Sequence, residues 1–131
     1  MAQMVLFDVN VYVYAHREDS PHHGSIKAVV ERHLSGAAPV GFSPLALSGF
    51  LRVVTHPRIF DPPTPLDTAI GFCRSITEAS ASVPVVPGDS HWAIFLHMIE
   101  SARATGNFVP DAWFAALAVE HLDLDRLATL L

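Results

Sequence analysis

Short apolar runs alternate with stretches of helical periodicity along this chain, and that alternation limits the folds open to it more than any other feature. Met4-Val5-Leu6-Phe7 is a continuous apolar run, the pattern of a central parallel strand covered on both faces. Ser20-Pro21 follows as a helix-start signal, with Gly36 placed to end that helix. Between them Ile26, Val29, Val30, His33 and Leu34 share one helical face. Pro39–Ser43 reads as a second strand, and Ser43-Pro44 opens a helix striped by Leu47, Phe50, Leu51 and Val54. The segment His56–Pro65 is rich in proline and reads as a loop. Thr64-Pro65-Leu66-Asp67 resembles a capping box opening a third long helix, with Ala69, Ile70, Cys73 and Ile76 inward. Val83–Val86 is the next strand candidate, and Trp92, Phe95, Leu96 and Ile99 stripe the helix after it. Gly106-Asn107 breaks the chain before an alanine-rich helix over Asp111–His121. Strands and helices alternating at these lengths imply βαβ units, hence an α/β fold with a parallel sheet.

Size and composition narrow the function classes. At 131 residues the chain suits one compact domain over 1–131. Half the residues are apolar (50%) and 16% are charged, which supports a buried core and argues against disorder. The single cysteine, Cys73, excludes an intramolecular disulfide and fits a reducing, cytoplasmic setting. No stretch approaches the roughly eighteen apolar residues of a membrane span. The run Met4–Phe7 is too short, and lacks the basic flank, to be a signal peptide. A net charge of −5 argues against bulk electrostatic binding of nucleic acid, but not against an enzyme whose metals meet the phosphates.

In parallel α/β sheets ligands gather beyond the carboxyl ends of the strands. Asp8 sits there, directly after the first apolar run, and is either a helix cap or a ligand. Asp111 follows Pro110 near a helix start, where a first-turn partner of the helix dipole competes with a ligand. Spacing alone does not join two such distant aspartates into a site. Eight histidines include no HExxH or Cys/His zinc pattern, and His22 and His23 read as solvated. Ser48 lies outside any nucleophile elbow. Cys73 falls on an apolar stripe, and Phe50, Trp92 and Phe95 sit at core spacing rather than as base-stacking platforms. Arg52 and His56, four apart on one helix face, and Arg58 just beyond are either RNA-phosphate contacts or a solvated face.

Three motifs go further. Asp8-Val9-Asn10-Val11-Tyr12-Val13-Tyr14-Ala15-His16, followed by Asp19-Ser20-Pro21-His22-His23, resembles the opening of the VapC toxins in the PIN-domain superfamily. The stretch Leu47–Phe60 resembles the second signature of one branch of those toxins, and Thr105–Ala112 with Ala115–Ala118 resembles the third. The resemblance implies a PIN-like three-layer α/β/α domain with a parallel sheet of about four or five strands. It implies a metal-dependent endoribonuclease, the toxin of a type II toxin–antitoxin system, cutting transfer or ribosomal RNA. Asp8 and Asp111 match its catalytic metal ligands and Asn10 the residue that orders the first loop, with Mg2+ (or Mn2+) as cofactor, for which carboxylates are the fitting donors. Its expected partners are RNA, a VapB-type antitoxin lying across the acidic cleft, and a second copy in a homodimer, with no membrane.

The sequence departs from the family pattern twice. Gly49 aligns where many relatives carry a glutamate, a residue that its branch commonly lacks. After His121 the family's short strand and acidic turn have no counterpart; Asp123 and Asp125 are the only nearby acids, and their context reads as a final helix. That departure and the net charge of −5 favour an alternative: a catalytically impaired PIN domain that binds RNA or antitoxin.

Overall fold

A computed structural model describes residues 4–122, which run β1 (Val5–Leu6), α1 (Val9–His16), α2 (His23–Leu34), β2 (Val40–Phe42), α3 (Pro44–Val54), α4 (Leu66–Thr77), β3 (Ser82–Pro84), α5 (His91–Ala102) and α6 (Phe108–His121). The chain divides after Pro84 into two compact units. In the first, the three strands form one parallel sheet in the order β1-β2-β3. Val5 pairs with Val40 and Leu6 with Gly41, while Val40, Gly41 and Phe42 pair with Ser82, Val83 and Pro84. Helices separate successive strands, as parallel pairing demands. The α/β fold with a parallel sheet is therefore the one the alternation predicts, with three strands among the described residues where four or five are expected.

Side chains close the first unit's core around α1. Tyr12, Val13 and Ala15 are buried, and α1 packs on both α2 and α3. The fully buried Phe50 stacks on Phe72 with ring centroids 4.7 Å apart, and His16 meets Phe50 edge-on at 5.5 Å. Gly49 has a steric reason: a Cβ there would lie 2.9 Å from Val9 Cγ2. Any side chain at position 49 would therefore require Val9 to move.

Local differences from the sequence expectations have clear causes. The Ser20 hydroxyl donates to the carbonyls of Tyr14 and Arg17, so it cannot cap α2. That helix starts at His23, behind His22 in a left-handed conformation (φ 57). Ser43 caps α3 as expected, its hydroxyl accepting from the Ala46 N–H at 3.3 Å, with Pro44 at the first position. Thr64 makes no capping box: it is buried, and its hydroxyl bonds His16 and Arg17. α3 ends at Val54, so His56 lies beyond the helix and does not share a helical face with Arg52.

In the second unit α5 packs on α6. Phe95, Ala116 and Leu117 are buried, and polar ties add to the apolar contact. The nearly buried Glu120 accepts from the Gly88 N–H at 2.7 Å and the Ser90 N–H at 2.9 Å, groups of the turn that leads into α5. Buried His91 donates from Nε2 to the Trp113 carbonyl at 2.9 Å, and His121 Nε2 donates to that of Val86 at 2.6 Å. Trp92, expected on the inward stripe of α5, is instead 63% exposed, and Leu96 is exposed too. α6 begins at Phe108, three residues earlier than the alanine run suggests. Asp123 and Asp125 lie outside the described residues.

Candidate functional site

Asp8 is positioned by both elements it joins. Phe7, buried, fixes the end of β1 edge-on to Tyr12 and His33. Asp8 then takes an extended conformation (φ −90, ψ −179), and its Oδ1 accepts the Val11 N–H at 3.2 Å. The cap and ligand readings of Asp8 are therefore not exclusive. One oxygen satisfies an amide that the first turn leaves unpaired, and the exposed carboxylate faces water. Asn10, in the first turn of α1, is also exposed. Beneath them the Tyr12 ring is fully buried, and its hydroxyl has no hydrogen-bond partner among the described residues. Burial, then the neighbouring Cys73 and Asp8, push this phenol well above its usual range, so it stays neutral at all working pH values.

Asp111 lies in the second unit, in the first turn of α6, and is exposed. It borders an open cleft of about 680 Å³ whose lining comes from the end of α5, the turn after it and the start of α6. Sequence reasoning missed two residues of this cleft, Arg103 and Phe108. Arg103 ends α5 in a left-handed conformation (φ 53), and Phe108 is 69% exposed. The only hint was an aromatic directly after the Gly106-Asn107 break.

The three cation candidates differ. Arg52 and Arg58 are exposed, as phosphate contacts require. His56 is half-buried, and its Nδ1 accepts the Arg58 N–H at 3.1 Å, so it shapes the turn that carries Arg58. A different cation, Arg17, organises the proline-rich segment. Its guanidinium forks onto Asp19 at 2.6 and 2.9 Å, donates to the Pro62 carbonyl at 3.0 Å, and lies 4.2 Å over the Phe60 ring. The Arg17 hydrogen bond also holds the Asp19 carboxyl below its ordinary range. Thr64 accepts from Arg17 at 3.3 Å and bonds His16 Nε2 at 3.2 Å. Burial first, then Arg17 and His23, lower the His16 pKa.

As donors for a divalent ion, Asp8 and Asp111 are of the right type. Each is an exposed carboxylate, and hard oxygen sets of one or two carboxylates completed by water suit Mg2+. Among the described residues no group of three or more His, Cys, Asp or Glu side chains converges on one point. No helix among them is long and apolar enough to cross a membrane.

No family model matches the sequence. Curated proteins do. Ribonuclease VapC43 of Mycobacterium tuberculosis is 37% identical over 118 residues, 90% of this chain and 80% of that protein. Ribonuclease VapC25 of the same organism is 35% identical over 127 residues, 94% of this chain and 89% of its own length. Ribonuclease VapC48, also from M. tuberculosis, is 35% identical over 116 residues, 88% and 79% of the two chains. With identity of 35% or more over about nine-tenths of its length, the chain belongs to the VapC-type toxins of the PIN-domain superfamily.

Proposed function

We propose that this VapC-family chain is a Mg2+- or Mn2+-dependent endoribonuclease, the toxin of a type II toxin–antitoxin pair, with Asp8 and Asp111 as its metal ligands and cellular RNA, transfer or ribosomal, as its substrate. Two observations carry the reading: the chain is 37% identical to a protein named as a ribonuclease, and Asp8 stands exposed at the end of β1, where α/β sheets bind ligands. A divalent ion would polarise the scissile phosphate, lower the pKa of a water and stabilise the leaving oxygen. The chain's own residues hold and orient. The Val11 N–H fixes the Asp8 carboxylate at Oδ1, and Asn10 offers an uncharged donor and acceptor two residues on. Arg52 and Arg58 supply exposed cations for phosphates outside the reacting bond, the second held by the turn that His56 shapes. A VapB-type antitoxin, a homodimer and a cytoplasmic setting belong to the same reading.

The test is incubation of purified protein with total RNA, with Mg2+ or Mn2+ and with chelator, and mapping of the new RNA ends. Discrete cuts that require the metal support the nuclease. Intact RNA under every condition, with RNA or antitoxin still bound, would leave the impaired binding domain as the better account.

A further inference from the structure

We propose that the cleft beside Asp111 is a nucleotide-binding subsite, in which Phe108 stacks on a base of single-stranded RNA and Arg103 contacts an adjoining phosphate. This rests on the ribonuclease reading and adds to it the part of the substrate that this surface receives. The cleft's volume, about 680 Å³, is that of a site for a molecule of nucleotide size. Its floor and walls are apolar, from Met98, Ala102 and Ala115, and Arg103 is the only cation among its lining residues. Phe108 is 69% exposed, more than any other of the large apolar side chains open to water among the described residues.

Backbone bonds hold the main chain at both residues. The Ala104 N–H donates to the Ile99 carbonyl at 3.1 Å, the Phe108 N–H to Thr105 at 3.1 Å and the Val109 N–H to Gly106 at 3.1 Å. Arg103 holds φ 53, a conformation glycine adopts at no cost and other residues only at about 1 kcal/mol. An arginine thus stands at a helix end where glycine would cost the backbone less. An exposed aromatic beside a cation is the pairing that binds single strands: the ring offers a stacking face to any base, and the guanidinium meets the phosphate. In a chain of net charge −5, one cation placed in the cleft decides where a phosphate can approach Asp111.

The experiment measures binding of a short fluorescein-labelled oligouridylate to the full chain in chelator, by anisotropy, followed by cleavage of the same RNA with Mn2+. Phe108→Ala weakens binding about tenfold and raises the cleavage KM in step, while Phe108→Tyr stays within about twofold of wild type. Arg103→Ala lowers the slope of log Kd against log salt by about one. Leu96→Ala, an exposed apolar truncation outside the cleft, binds as wild type. Phe108→Ala with wild-type Kd and KM overturns the subsite and leaves the nuclease intact. Phe108-dependent binding without any cleavage retains the subsite and removes the nuclease. Absence of oligouridylate binding by the wild-type chain, or a Phe108→Ala effect confined to oligomer mass in light scattering, also overturns it, the latter pointing to a second copy on this face.

Discussion

Around Asp8 the backbone is held by apolar packing. Phe7, Tyr12 and Val13 are buried, α1 presses against α3 at Gly49, and the carboxylate needs only one amide contact to be oriented. Around Asp111 the helix pair depends instead on side chains that reach backbone groups: Glu120 to Gly88 and Ser90, His91 to Trp113, His121 to Val86. Large apolar residues stay in water there, Trp92 and Phe108 foremost. The second arrangement counts among its ties Glu120, whose carboxyl is held below its ordinary range, and it leaves Phe108 exposed. The two carboxylates proposed as metal ligands thus sit in unlike settings, one on a packed strand end and one beside an open cleft.

The contrast can be tested by substitution. Phe50→Ala empties the stacked centre of the first unit and should cost about 3–5 kcal/mol, read as a lower denaturant midpoint in equilibrium unfolding. A cost under about 1 kcal/mol would mean the packing around α1 is looser than the buried rings indicate. Gly49→Ala should cost about 1–3 kcal/mol, because Val9 must move. Glu120→Gln should act on the second unit with a pH signature. The Gly88 N–H, joined by that of Ser90 and opposed by partial burial, lowers the Glu120 pKa in the folded chain. A depressed carboxyl stabilises the fold above the unfolded value and loses that contribution as pH falls through the folded one. Wild-type melting temperature should therefore decline below about pH 4.5, and the Gln variant should decline less steeply. Equal slopes would remove Glu120 as the clip. Trp92→Ala, on an exposed ring, should shift stability by no more than about 0.5 kcal/mol.

Much of this was legible in the sequence, and the failures share a cause. Met4–Phe7 ending at Asp8 marked the strand and the carboxylate beyond it, and Ser43-Pro44 marked its helix start to the residue. Ser20 and Thr64 looked like caps because their type and position fit, yet their hydroxyls are engaged by Tyr14, Arg17 and His16. Competition of that kind is set by tertiary contacts and leaves no mark in local pattern. Trp92 fell on a helical stripe that α6 does not fully cover. The roles of Asp8 and Asp111 came from family resemblance, since two exposed carboxylates far apart in sequence carry no spacing signal. Phe108 and Arg103 were missed because a turn, not a period, sets them on one cleft.

The most direct measurement is cleavage of total RNA across a range of Mn2+ concentrations by wild type, Asp8→Asn and Asp111→Asn. Asparagine caps a helix as well as aspartate does, so Asp8→Asn keeps the Val11 contact and removes only the charge. The account predicts metal-dependent cuts by wild type and none by either variant, with all three chains melting at similar temperatures. Cuts by Asp8→Asn at the wild-type rate, or cuts that persist in chelator, would contradict it.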